Sequence, residues 1–390
     1  MLKTIISTMA VVCVVLIMLA HDAQGQKSPM AIGTVVTEGL PFRCTGNSWG
    51  MPGMTCQVAQ VTGCPNSETL GFTYAYKTQK GTPLGTIVLF SGAGGTAPSG
   101  SRQGSASGYT SEYFSRDYNV VQIAWDWDWE RTNAPGHTTY AASILNAACR
   151  PATFLNFVQN NTLLNPRNLM CAQGASAGSG AVAYALVWYG ADQYIRSAEL
   201  LAGPVFGNIE QGCYVPPNPP PPGPEQICAK VRGQEQFGCN NQYGRTSEWN
   251  DMPQYIPGAV SSVRRWTNDS SCNAGRPTSS ASNQNWLDMS IVNGKGGNFS
   301  FPNTSIAGWL CSTYRRGSCD PGSGCPNNSS AQGEYFYNVF TKADHPQPNY
   351  SVTGILECNG AEGLNDTGAT TPDGTPTMTA VVNDMSLSCR

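Results

Sequence analysis

The stretch Asn168-Leu169-Met170-Cys171-Ala172-Gln173-Gly174-Ala175-Ser176-Ala177-Gly178-Ser179-Gly180 constrains the fold of this chain more than any other. Leu169–Ala172 reads as a short buried strand, the apolar run Ala181–Tyr189 as the body of a helix beginning near Ala177, and Gly174-Ala175-Ser176-Ala177-Gly178 as the joint between them. So sharp a turn strains the backbone of its apex residue, and it closes only where the positions two before and two after lack bulk. Gly174 and Gly178 meet that condition. The serine oxygen at the apex then stands clear of the strand, while the Ala177 amide, at a helix N-terminus, can donate to a developing oxyanion. Ser176 is therefore the candidate nucleophile. Small residues also let any helix pack closely on a strand, so the pattern gains its force from lying between a predicted strand and a predicted helix.

This joint resembles the nucleophile turn of the α/β-hydrolase family, and the likeness extends upstream. Gly85–Ser91 reads as a buried strand that runs into Gly92-Ala93-Gly94-Gly95-Thr96. In that family a glycine-rich loop after an early strand supplies the second oxyanion amide, often in a His-Gly-Gly-Gly form; Ser91 stands here where that histidine would be. The glycines still let backbone amides approach a substrate closely. The resemblance implies an α/β fold, with a mostly parallel central sheet flanked by helices. It further implies oxyanion donors at Ala177 and at Ala93 or Gly94, and chemistry that needs no cofactor.

The chain opens with Met1-Leu2-Lys3, the apolar run Ile5–Ala20 and the small-residue exit Ala23-Gln24-Gly25, the pattern of a secretory signal peptide cleaved after residue 25. Residues 26–390 are then a single domain, extracellular and with no membrane segment of its own. Losing Cys13 leaves fourteen of the fifteen cysteines, an even number that in an exported chain points to disulfides. Cys56 and Cys64 are near enough in sequence to close a local loop. With no Cys-x-x-Cys pair and two histidines left, a zinc site is not expected. Eight Asn-x-Ser/Thr sequons suit a secreted surface. A net charge of −3, 12% charged residues and no basic cluster argue against nucleic acid or an anionic membrane as partner.

Gln57–Thr62 and Leu70–Thr78 alternate like an antiparallel pair, Ser107–Tyr118 has helical spacing, and Asn119–Trp125 is another buried strand. At its end stands Trp125-Asp126-Trp127-Asp128-Trp129-Glu130. Ligands collect at the carboxyl ends of parallel strands, so the three tryptophans, Trp125 and Trp127 foremost, are candidates for an aromatic wall against a sugar or aromatic substrate, with core packing of at least one as the alternative. Asp126 and Asp128 would share a face, as a glycosidase pair requires, only if the strand continued. Thr139–Leu164 reads as a long helix and Ile195–Ala202 as the strand after the nucleophile helix. From about 212 to 280 a Pro-rich, Cys-containing insertion follows, in the position where the family often places a lid. Within it Tyr255–Trp266 reads as a helix; beyond it Met289–Val292 reads as a strand, Thr304–Arg315 as a helix and Glu334–Thr341 as the last core strand.

The family order is serine, acid, then a histidine after the final strand, and His345 meets it on this reading; His137 precedes the nucleophile in a turn. The acid is less well marked. The loop after Met289–Val292 carries no carboxylate. The options are Glu210 after the preceding strand, Asp288 at the start of its own strand, and Asn298 as a weak orienter; Glu210 is preferred. The expected protein is thus a secreted serine hydrolase acting on a small-molecule or polymer-linked carboxylic ester. Ester chemistry here is implied by the resemblance and not by a residue. A secreted peptidase and a non-catalytic binding protein on the same scaffold are the rival readings.

Overall fold

The structure, a computed structural model, describes residues 28–45, 49, 53–98, 106–132, 134, 144–204, 206–207, 229–231, 234–237, 289–292, 297–311, 336–337, 350–355 and 373–390. In chain order its strands are β1 Thr34–Arg43, β2 Thr55–Thr62, β3 Leu70–Lys77, β4 Thr86–Phe90, β5 Asn119–Trp125, β6 Met170–Ala175, β7 Ile195–Leu201, β8 Ala229–Val231, β9 Gln234–Phe237, β10 Ser305–Cys311 and β11 Tyr350–Ile355. Strands β8 and β9 pair with each other; the other nine form one sheet in the order β1-β2-β3-β5-β4-β6-β7-β10-β11. Pairing is antiparallel from β1 through β3 to β5 and parallel from β5 to β11.

The helices are α1 Ala106–Ser115, α2 Ile144–Ala147, α3 Cys149–Asn160, α4 Ala177–Tyr189 and α5 Thr377–Ser388. Helices α3 and α4 pack on one face of the sheet, through Phe154, Leu155, Val182 and Leu186. Tyr109 and Tyr113 of α1 join Val381, Val382 and Met385 of α5 on the other. A sheet covered on both faces needs strands apolar on both sides; all five residues of β4 are buried, as are the first five of β6. Helix α4 lies under the same constraint, with twelve of its thirteen residues buried, and it ends where Gly190 takes a left-handed conformation at φ 72°. Parallel strands β5-β4-β6-β7-β10-β11, antiparallel strands leading into them, helices on both faces and a serine at the β6–α4 turn together make the α/β-hydrolase fold.

Several expected elements differ. Thr304–Arg315, expected as a helix, contains β10, which pairs in parallel with both β7 and β11. Its Ile306, Ala307, Trp309 and Leu310 are all buried, and a short run apolar on both faces carries no period that separates strand from helix. Met289–Val292 is a bend and not a strand; its Ile291 and Val292 amides donate to the carbonyls of Phe206 and Gly207 at 3.0 and 3.1 Å. Phe336 and Tyr337 are helical, so among the described residues the last strand is β11 and not Glu334–Thr341, whose other residues lie outside those described. The long helix expected over Thr139–Leu164 is split into α2 and α3, with Pro151 placed in the first turn of α3, where its missing N–H costs nothing. The helix expected at Tyr255–Trp266 and most of the insertion lie outside the described residues.

Three disulfides are described. Cys44 bonds Cys56, and Cys64 bonds Cys149 at the first residue of α3, so a Cys56–Cys64 loop is ruled out. The third, Cys171–Cys389, ties β6 to the residue after α5 across 218 positions of sequence. Among the described residues no helix is long and apolar enough to cross a membrane.

Candidate active site

Ser176 occupies the turn between β6 and α4 with φ 51° and ψ −118°, a region L-residues avoid. Its amide donates to the Leu201 carbonyl at the end of β7, 2.9 Å away, and its carbonyl accepts from Ser179 and Gly180 at 3.0 and 3.2 Å. Both ends of the strained residue are therefore held by backbone. The flanking glycines are there for want of room. A Cβ on Gly174 would stand 2.2 Å from the Gly178 carbonyl oxygen, and one on Gly178 would stand 2.5 and 2.7 Å from the carbonyl oxygens of Phe90 and Ser91. The Ala177 amide lies in the first turn of α4, where N–H groups have no intrahelical acceptor and the helix dipole favours negative charge.

The loop after β4, where the second oxyanion donor was expected, is a tight turn. Ala93–Gly95 form a 3-10 turn, with Gly94 and Gly95 at φ 76° and 72°, values that favour glycine. The Gly95 amide closes the turn onto the Gly92 carbonyl at 3.0 Å. The Ser91 hydroxyl donates to the Ala97 carbonyl, so the residue in the place of the family's histidine ties the loop shut.

Strand β5 ends at Trp125, so the alternation that would bring Asp126 and Asp128 to one face stops before it begins. The glycosidase pairing falls with it. Trp125 is 2% exposed and packs on Phe72 and Phe154, with ring centroids 5.1 and 6.5 Å away; it belongs to the core and not to a binding wall. Trp127 is half-buried under the Arg150 guanidinium, 4.5 Å from its ring centroid. Trp129, the third tryptophan expected in that wall, is fully buried and donates its amide to the Gly94 carbonyl at 3.1 Å.

His345, His137, Glu210 and Asp288 lie outside the described residues. The strands around them nevertheless alter the premises on which they were chosen. Leu201 ends β7 at the edge where it meets Ser176, so the connection whose sequence holds Glu210 departs from that edge. Strand β10 pairs Trp309 with Leu201 and finishes at Cys311 on the same edge; the sequence that follows contains Asp320. His345 was placed after the last strand, but β11 begins at Tyr350 and so comes after it. From 356 to 376, between β11 and α5, the sequence contains no histidine. Asn298 is overturned as an orienter of the base. Its amide bonds to the Val187 carbonyl near the far end of α4, eleven residues from Ser176, a separation of about 16 Å along the axis.

Beneath the turn, Glu199 of β7 is register partner to Gln173 of β6 and is fully buried. Desolvation pushes its pKa well above the usual carboxylate value and the nearby Asp384 carboxylate of α5 adds to this, while the Trp309 indole N–H, donating to Glu199 Oε2, opposes it. Burial and the Asp384 charge thus both favour a neutral Glu199. The Tyr113 hydroxyl donates to Gln173 Oε1 at 2.5 Å, and the Ser197 and Ser388 hydroxyls lie 2.8 Å apart, so side-chain bonds brace β6 against α1 and β7 against α5. Among the described residues no group of three His, Cys, Asp or Glu side chains is placed to hold a metal ion.

No family model and no curated protein matches the chain. Among solved structures, an esterase from Pyrobaculum calidifontis superposes with a TM-score of 0.44 at 11% identity, covering 85% of this chain and 86% of its own. A bacterial heroin esterase gives 0.44 at 12% identity over 93% and 86%. An esterase from Rhizomucor miehei gives 0.42 at 11% over 87% and 84%. Likeness at this level is one of chain trace.

Proposed function

We propose that the chain is a secreted serine hydrolase that cleaves carboxylic esters through an acyl-enzyme on Ser176. The observation that carries this is the strained, doubly tethered backbone of Ser176 at the head of α4, since strain of that kind persists where surrounding structure enforces it for a task. In this reading a histidine, His345, takes the proton from the Ser176 hydroxyl as its oxygen attacks the ester carbonyl. The tetrahedral oxyanion is held by the Ala177 amide and by that of Ala93 or Gly94. The imidazolium then protonates the departing alkoxide, and water repeats the sequence to release the acid. A carboxylate on a connection leaving the nucleophile's edge, Glu210 after β7 or Asp320 after β10, orients the imidazole. No cofactor takes part, and a signal peptide over residues 1–25 delivers the chain outside the cell.

One observation favours a non-catalytic binding protein on the same scaffold. The connection that follows β11 is where the fold would present the base, and its sequence has no histidine. The two readings separate on the purified secreted chain with short- and medium-chain nitrophenyl esters and a fluorophosphonate probe. Hydrolysis and labelling that are lost in Ser176→Ala and in His345→Ala, but survive in His137→Ala, support the hydrolase. A folded wild type that neither hydrolyses nor labels leaves the binding reading.

A further inference from the structure

The run after β5 was expected to face a substrate. Its contacts point elsewhere. Arg150, the second residue of α3, is fully buried, and a buried guanidinium is costly unless its donors are satisfied. Its four Nη donors go to main-chain carbonyls, Nη1 to Trp129 at 3.3 Å and to Arg131, Nη2 to Glu68 at 2.6 Å and to Thr132 at 3.1 Å, and its Nε makes no hydrogen bond. Three of those four carbonyls belong to residues 129–132. The same plane stacks on Trp127. Burial pushes the Arg150 pKa down to about 9, with the Glu68 carboxylate opposing, so the group is charged at neutral pH.

Trp129 joins this clamp to the glycine loop. While its carbonyl accepts from Arg150, its amide donates to Gly94. Its indole lies where a Cβ on Gly95 would come within 3.3 Å of it, and its ring meets Tyr184 of α4 edge-on with centroids 6.5 Å apart. One residue thus touches the loop that offers the second oxyanion amide and the helix that offers the first. Arg150 is itself fixed from outside the loop, because its neighbour Cys149 is bonded to Cys64 beyond β2.

We infer that Arg150, acting through Trp129, is a positioning residue that sets the Ala93–Gly94 amides relative to Ser176. This rests on the hydrolase reading for its kinetic consequence, but not for its structural one. A misplacement of about 1 Å at such a site costs on the order of 100-fold in rate, and one lost oxyanion donor costs as much or more.

The test compares wild type, Arg150→Met and Arg150→Lys on a nitrophenyl ester. Urea midpoints confirm folding, and amide hydrogen exchange is followed at Gly94–Gly95 and Trp129. Arg150→Met is expected to lower kcat by about 10- to 100-fold, with KM within about two-fold and faster exchange across the glycine loop. Arg150→Lys, which keeps the charge but not the fork of donors, should recover part of both. Folded variants whose kcat and loop exchange both match wild type overturn the inference. If neither variant folds, the wild type decides: a Trp129 amide that exchanges as fast as an open loop overturns it, and a protected one supports it. If the wild type has no esterase activity the hydrolase reading fails alone, and the exchange comparison still judges the clamp.

Discussion

Gly178 of α4 sits so close over Phe90 of β4 that a Cβ built on it would come to 2.5 Å from the Phe90 carbonyl oxygen. The obstacle is backbone, which no rotamer change can clear. Gly178→Ala must push the head of α4 away from the sheet, and overpacking of this kind costs about 1–3 kcal/mol. We expect a lower urea midpoint together with reduced fluorophosphonate labelling of Ser176. A variant as stable and as reactive as wild type would contradict the packing described.

Ser176 itself is strained at φ 51°, and only glycine tolerates such a conformation freely. Ser176→Ala removes the hydroxyl and keeps the strain. Ser176→Gly removes both. Both variants should be inactive, yet Ser176→Gly should be the more stable of the two by about 1 kcal/mol, after allowing for its more flexible unfolded chain. Equal midpoints in urea would mean that the turn is relaxed.

Glu199 makes stability depend on pH in a direction opposite to that of a salt-bridged carboxylate. Its folded pKa is raised, chiefly by desolvation, so the native state keeps a proton that the unfolded state releases above about pH 4.3. Stability is therefore full below that pH and falls as pH rises toward the folded pKa, by up to about 1.4 kcal/mol per pH unit. Glu199→Gln keeps an acceptor for Trp309 but has no proton to lose. Its advantage over wild type should widen between about pH 5 and pH 8 in urea titrations. A constant difference would mean that Glu199 is not held neutral by the fold.

Much of the fold was legible in local pattern. The expected strand Asn119–Trp125 agrees with β5 residue for residue, the helix expected to begin near Ala177 is α4, Gly85–Ser91 exceeds β4 by one residue at each end, and Ile195–Ala202 exceeds β7 by one at its end. These runs sit between strong punctuation, Gly174 and Gly178 above all. The failures cluster in the second half. Ser305–Cys311 has the apolar spacing of a helix and the burial of a central strand, and its assignment follows from parallel neighbours on both sides. Trp125 shows the same limit at the level of a side chain. An indole at the carboxyl end of a strand suits a binding wall or a core equally well until its neighbours Phe72 and Phe154 are known.

What the amino-acid sequence determined alone is the joint at Ser176: two glycines at the required spacing, between a strand and a helix, leave the chain few other conformations there, because the constraint is steric and acts over five residues. What only the tertiary structure decided is which distant segments meet that joint. Leu201 reaches the Ser176 amide, Trp129 reaches Gly94, Arg150 gathers the carbonyls around Trp129, and β10 and not Met289–Val292 stands beside β7. Each of these depends on hydrogen bonds and packing between residues far apart in sequence, and such contacts leave no periodicity for a local reading to find.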